Sequence, residues 1–461
     1  MSISKSSRSK SRLRRRGVAL AGAATLVAAG LVGSGATSAT AEPDDQLMTA
    51  LEAAPDTLQT PFEQSNGATW TTFDESKRFW RQLDESTERV AVERIGTTVQ
   101  GRPLQLVKVG APAPRSVDAA AQGSVLMYNC SIHGNENSGR EACMQLARDL
   151  ATSPDPAVER LLQRTTVLFL NSNPDGWVAD TRGNADGVDV NRDLMELATP
   201  EGRAIATTIR DWKPDVLNDL HEYGAGEFYN TDLLHLWPRN RNVDPAIHRL
   251  AQRMNNDYSA PQVESLGYTA GIYGLLVKDG QPFQQVAGDG QGRILRNYSG
   301  LQHVVGMLSE TAGNALNPEE EADEALLNRR RVEVNYNSAV GSADFIAENR
   351  TQVQRQTAAA AERATQKGAD QASVVYFAGQ DDMVPTTQDG ADPTPMCAYQ
   401  LDAEQFDSLR STLRIHGITW ERTGGGGVRV SMAQEDQGLI PLLLDERSEY
   451  RLTEAAPIDE C

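Results

Sequence analysis

The sequence holds six histidines: His133, His221, His235, His248, His303 and His416. Two of them stand where chemistry is done. His133 lies in Cys130-Ser131-Ile132-His133-Gly134-Asn135-Glu136, directly after the apolar run Ser124–Tyr128. His221 ends a second apolar run, Asp215–Leu220. In an open α/β sheet, ligands bind in the crevice beyond the strand C-termini. His133 and Glu136, three residues apart in one loop, can converge on an ion, and His221 can complete a His₂Glu zinc set with a fourth position left for water. Hydrolysis at such a site also needs a base and positive donors for a developing oxyanion. Glu310 ends the run Val304–Ser309, and a carboxylate at the end of a buried strand is a candidate base. Arg182 and Arg192 lie in the polar stretch 181–193, where a guanidinium fork suits two-point grip on a carboxylate. Surface salt-bridging is the competing role for both arginines.

Other hydrolytic and nucleotide-binding motifs fail. His221-Glu222 is no H-E-x-x-H, because position 225 is Ala225, and Glu136 is followed by Asn137, which rules out H-x-x-E-H. There is no G-x-S-x-G nucleophile elbow and no phosphate loop, and Gly424–Gly427 lacks the lysine such a loop needs, so it reads as a hairpin tip.

The elements that must hold these residues alternate in type. Thr72–Val90 reads as a helix, with Phe73, Phe79, Trp80 and Leu83 at helical spacing. Val90–Ile95 and Leu104–Val109 read as strands around a turn at Gly101-Arg102-Pro103. Ser124–Tyr128, a helix over Gly139–Leu150, and Thr166–Leu170 give strand, helix, strand, the pattern of a mostly parallel sheet. Asp215–Leu220 and Val304–Ser309 add two buried strands, and Pro318–Lys367 reads as largely helical. From Val374 the chain changes to short strands and turns.

Six segments, in order, carry a family resemblance: Ile95-Gly96 with Gly101-Arg102-Pro103; His133-Gly134-Asn135-Glu136; Asn173-Pro174-Asp175-Gly176; Gly187-Val188-Asp189-Val190-Asn191-Arg192; Asp219-Leu220-His221; and Leu308-Ser309-Glu310. Over residues 72–345 the chain resembles the zinc metallocarboxypeptidases of the carboxypeptidase A type, as a secreted bacterial member. The resemblance implies a mixed, mainly parallel central sheet flanked by helices. It implies one zinc ion per chain, held by His133, Glu136 and His221. Glu310 matches the catalytic glutamate that activates the zinc-held water and passes its proton to the leaving amine. Arg182 matches the arginine that steadies the oxyanion. Asn191 and Arg192 match the pair that holds the terminal carboxylate of the substrate. The family's substrate-capping tyrosine has no clear counterpart: Tyr298 lies closer to Glu310 than the family spacing and Tyr273 lies farther. The stretch between His221 and Glu310 carries no recognisable specificity-pocket pattern.

Charge and cysteines bound the rest. The formal net charge is −19 over 461 residues. Residues 1–41 hold seven basic groups and no acid; without them 37 basic face 63 acidic side chains, a net −26. That acidity argues against a nucleic-acid binder. Residues 1–41 read as a signal peptide: a basic start, a mild apolar run Gly17–Val32, and Ala39-Thr40-Ala41 before Glu42. The adjacent arginines match the twin-arginine export route, and an uncleaved N-terminal anchor is the alternative. No later segment reads as a membrane span, so no stable membrane insertion is expected after signal removal. In an exported chain the four cysteines are expected as two disulfides; of three pairings, Cys130–Cys143 and Cys397–Cys461 keep each bridge within one putative unit.

The expected organisation is a signal peptide (1–41), a loose extension (42–70), a catalytic domain (71–345), a helical linker (346–373) and a small α+β domain (374–461). The leading expectation is a secreted zinc carboxypeptidase acting on peptides or proteins with a free C-terminus. The alternatives are a related zinc amidohydrolase or cell-wall peptide hydrolase, and a non-catalytic peptide-binding protein on the same scaffold.

Overall fold

The computed structural model describes residues 46–55, 58–372, 374–377, 391–393 and 396–461. The expected signal peptide, 1–41, lies outside them. An eight-stranded mixed sheet forms the centre. Its strands are β1 (Val90–Thr97), β2 (Pro103–Val109), β3 (Ser124–Asn129), β4 (Thr165–Leu170), β5 (Val216–Tyr223), β6 (Leu233–Leu236), β7 (Ala270–Ile272) and, after the hairpin β8 (Leu275–Lys278) and β9 (Gln281–Gln285), β10 (Val305–Ala312). Their order across the sheet is β1-β2-β4-β3-β5-β10-β6-β7. The four central strands β4, β3, β5 and β10 run parallel, while β1, β2 and β6 join antiparallel. From β3 the chain crosses to β4 on one side and later to β5 on the other. The C-terminal ends of β3 and β5 therefore flank a switch point, the place where open α/β sheets bind ligands.

Every residue of β3, β4 and β10 is buried, as parallel strands covered on both faces require. The helix Phe73–Ser86 starts with a capping box between Thr72 and Glu75 and buries Phe73, Phe79, Trp80 and Leu83, the expected stripe. Each such side chain contributes about 1.5–3 kcal/mol by leaving water. The stretch 318–367, read as helical, is a short helix Pro318–Ala322 followed by one of 46 residues, Glu324–Ala369. The long helix approaches the sheet through small residues. Tyr128 Oη donates to Ala339 O at 2.7 Å, Ser309 and Ser338 hydroxyls pair at 2.8 Å, and Asn335 Nδ2 donates to the carbonyl of His221 at 3.3 Å.

The stretch expected as a loose extension holds, in its described part, two short helices, Gln46–Glu52 and Pro61–Gln64, with Leu47, Ala50, Leu51 and Phe62 buried. Its polar composition hides a local signal: Thr60-Pro61-Phe62-Glu63 is a capping box with proline at the first helical position. Residues 398–458 build a four-stranded antiparallel sheet in the order Glu421–Arg422, Val428–Ser431, Ala398–Leu401, Ala456–Ile458, with the helix Ala403–Ile415 packed on it. Phe406, Leu413 and Leu443 of this segment belong to the same continuous apolar core as the large sheet. Both expected disulfides, Cys130–Cys143 and Cys397–Cys461, are formed. No helix among the described residues is long and apolar enough to cross a membrane.

Candidate metal centre and catalytic cleft

The loop after β3 and the end of β5 bring three donors together. His133, Glu136 and His221 are buried, and their ligand atoms lie within 4.8 Å of one another. Glu136 bridges the pair: Oε1 is 2.7 Å from His133 Nδ1 and Oε2 is 2.9 Å from His221 Nδ1. The two Nδ1 atoms are 3.0 Å apart. Two imidazole nitrogens that close oppose lone pair to lone pair unless a proton or a cation lies between them. Two nitrogens and a carboxylate form the donor set that zinc favours, so the residues present fit the ion.

The ligand loop is held from several sides. Glu222, next to His221, caps the helix Ser138–Thr152 by accepting from the N–H and hydroxyl of Ser138 at 2.7 and 2.6 Å. Arg140 of that helix donates to Gly134 O at 2.8 Å and stacks over Trp177 at 4.4 Å. Gly134 touches Gly176 backbone to backbone: a Cβ on Gly134 would fall 2.0 Å from the Gly176 carbonyl carbon. The preceding Asn173 caps its own short helix through Gly176 N–H and donates to Ile132 O at 3.0 Å. Buried Asp175 accepts from Thr98 Oγ1, the Gln100 N–H and Arg102 Nη1 at 2.8, 2.9 and 2.6 Å, which ties the Gly101-Arg102-Pro103 turn to the same loop.

Each histidine has a carboxylate on its far nitrogen. Asp189 Oδ1 lies 3.2 Å from His133 Nε2, and Asp219 Oδ2 lies 2.8 Å from His221 Nε2, off the line of an ideal hydrogen bond. Such partners fix the ring orientation and sharpen the basicity of the other nitrogen. Asp219 is itself oriented by Asn129 Nδ2 at 2.7 Å, its register partner on β3. Burial alone would push both imidazoles down, but Glu136 acts on His133 and Asp219 and Glu136 act on His221, and both are raised instead. The pocket favours positive charge.

Glu310 on β10 is in register with His221 on β5. It is buried, and its Oε2 has no hydrogen-bond partner. Burial raises its pKa, the positive charge on His221 working against that and Glu136 with it. Arg182 is half-exposed; its Nη1 lies 3.2 Å from His133 Nδ1 and 3.4 Å from Glu136 Oε1, and its Nε donates to Asp189 at 3.1 Å. Asn191 is buried, with Oδ1 accepting from the Leu295 N–H at 2.8 Å and Nδ2 3.3 Å from His221 Nε2. Arg192 is exposed and donates to Asn191 O at 2.8 Å.

The two tyrosines separate. Tyr298 is enclosed, with its hydroxyl 2.9 Å from His416 Nδ1. Tyr273 is raised first by the charge of Glu310, then by burial, while the positive charges of Arg296, Arg192 and Arg182 work the other way. Asp189 and Asp219 lie in the matched segments but carried no assigned role, and Asn129 and Arg140 were not singled out in the sequence. The one available signal was in β5, where Asp219 and His221, two apart in an otherwise apolar run, must share a face.

Residues 77–199 match the profile described as zinc carboxypeptidase. Carboxypeptidase 2 of Trichophyton rubrum is 27% identical over 261 residues, covering 54% of this chain and 48% of that protein. Carboxypeptidase D of Rattus norvegicus is 31% identical over 168 residues, covering 28% of this chain and 12% of that protein. The chain spans about half the length of the fungal relatives it matches. A metallo-carboxypeptidase structure from Burkholderia cenocepacia superposes with a TM-score of 0.45 at 20% identity, over 60% of this chain and 69% of that one.

Proposed function

We propose that this chain, matched over residues 77–199 by the zinc carboxypeptidase profile, is a secreted, zinc-dependent carboxypeptidase that removes residues from the free C-terminus of peptides and proteins. The observation that carries the proposal is the convergence of His133, Glu136 and His221 beside a second buried carboxyl group, Glu310, with an oxygen left unpartnered. A zinc ion held by those three ligands supplies Lewis acidity toward a carbonyl oxygen and activates water for attack.

The chain's own groups divide the remaining work. Glu310 takes the proton of the attacking water and returns it to the departing amine, and its free oxygen and raised pKa suit both duties. Arg182 presents Nη1 at the ligand cluster from the solvent side, where it donates to the oxygen that gains charge. Asn191 and Arg192 grip the terminal carboxylate of the peptide, a fork on one side and an amide on the other. Tyr273 covers the bound end of the substrate; Tyr298 is engaged elsewhere. Secretion is supported by the two disulfides, which persist in oxidising compartments, and by the basic-then-apolar N-terminus.

The test is mass spectrometry of a peptide library incubated with the zinc-loaded protein, each peptide supplied as acid and as amide. Stepwise loss of single C-terminal residues from the acids is expected. Equal cleavage of the amides, or release of acyl groups from small amino acids, would replace the reading with an amidohydrolase.

A further inference from the structure

We propose that His416, at the end of the helix Ala403–Ile415, is a positioning residue for substrate binding, and that residues 396–461 serve as a brace for the carboxylate-gripping half of the cleft. This rests on the assignment of Asn191 and Arg192 to the terminal carboxylate of the substrate.

His416 is fully buried and makes two hydrogen bonds, each to a different part of the catalytic region. Its Nε2 lies 2.9 Å from Met195 O, and its Nδ1 lies 2.9 Å from Tyr298 Oη. A carbonyl can only accept, so Nε2 carries the hydrogen. Burial keeps the imidazole neutral, so Nδ1 has only a lone pair and the phenol donates to it. The tautomer is thus set, and the ring is a two-ended connector with a donor at one end and an acceptor at the other.

The two ends matter because of what they join. Met195 follows Arg192 by three residues, in the segment that carries Asn191. Tyr298 sits on the helix Leu295–Leu301, whose first N–H, that of Leu295, donates to Asn191 Oδ1 at 2.8 Å. The Leu194 N–H reaches Arg293 O at 3.4 Å. The gripping segment and this helix therefore form one wall, and His416 bolts its two layers together. The same segment adds further ties. Tyr450 stacks under Arg293 at 3.9 Å and accepts from its Nη2 at 3.1 Å, and Asp436 accepts from Gln302 at 2.9 Å. Asn191 also lies 3.3 Å from the far nitrogen of His221, so its side chain spans from this wall to the ligand cluster. A shift of the wall moves the amide that meets the substrate, while Glu310, held in the β5–β10 ladder, stays in place.

The test is steady-state kinetics on a peptide with a free C-terminus, using the full chain with zinc. His416→Leu removes both hydrogen bonds and leaves Met195 O and Tyr298 Oη without partners; Tyr298→Phe removes one. KM is expected to rise roughly three- to tenfold in His416→Leu with kcat within about twofold. His416→Gln, whose amide also offers one donor and one acceptor, is expected to recover most of the loss. Arg192→Ala is measured alongside: if it fails to raise KM, the assignment of the gripping pair falls and takes this proposal with it. If Arg192→Ala raises KM but folded His416→Leu does not, or if His416→Leu lowers kcat with KM unchanged, the brace is overturned. Should His416→Leu fail to fold, an unchanged KM in Tyr298→Phe overturns it equally.

Discussion

Glu310 and His221 stand opposite each other on adjacent parallel strands, β10 and β5, in the middle of an unbroken ladder running from Val305–Val216 to Ala312–Tyr223. Neighbouring strands are spaced about 4.8 Å apart. The proposed base is therefore set beside a proposed metal ligand by backbone hydrogen bonds, not by a loop, and both strands are nearly wholly buried. That relationship makes the role of Glu310 separable from metal binding.

Glu310→Gln keeps the shape and removes the proton acceptor. Turnover is expected to fall by at least about a hundredfold while zinc stoichiometry stays at one per chain. Peptidase assays with metal analysis of the same preparation check this; normal turnover in the variant would sink the mechanism.

Asp219 lies at the far nitrogen of His221 and accepts from Asn129. Asp219→Asn should weaken zinc binding by about ten- to a hundredfold without altering any ligand. Competition with a fluorescent chelator measures it, and an unchanged affinity would show that the carboxylate does not act on the metal site.

Gly134→Ala meets backbone, not a movable side chain, since its Cβ would come within 2.0 Å of Gly176 C and 2.4 Å of Gly176 O. A loss of about 1–3 kcal/mol is expected from overpacking, together with weaker zinc binding because His133 is the preceding residue. Denaturant unfolding of the metal-free form isolates the first effect from the second.

Burial holds His416 down at about 4 from an ordinary 6.5. Between those values the unfolded chain binds a proton that the folded chain does not, so the stability is complete above 6.5 and is lost as pH falls toward 4. The full difference is on the order of 3 kcal/mol. Asp436, pushed up to about 7 by burial, acts with the opposite sign and is common to both proteins. His416→Gln should therefore lose less thermal stability than the parent between pH 6.5 and pH 4. Parallel melting curves across that window would refute the assignment.

The proposed catalytic set was legible because its members sit at the ends of apolar runs: His133 after β3, His221 in β5 and Glu310 in β10. Continuous apolar runs bounded by turn residues located those strands, and helical spacing located the helix over Phe73, Phe79, Trp80 and Leu83. Strand order was not legible, since nothing local in β3 says that β4 and β5 lie on either side of it. The supporting groups were hidden for the same reason. Asn129 and Asp219 meet across 90 residues of sequence, and His416 reaches Met195 across 221. Spacing could not separate Tyr273 from Tyr298, because the hairpin β8–β9 lies between Tyr273 and Glu310 and the burial of Tyr298 against His416 depends on a contact distant in sequence.

The bridge between Cys130 and Cys143, 13 positions apart, closes a loop that contains both His133 and Glu136. Two of the three donors are thus stapled to the helix Ser138–Thr152 by a covalent bond before any ion arrives. Under the proposed zinc site this makes the loop a preassembled chelator, expected to keep two of its donors gathered when the ion is removed. If the three donors hold zinc as proposed, a reductant is expected to loosen the grip on the ion while leaving every ligand chemically intact, so that metal retention would follow the redox state of the surroundings.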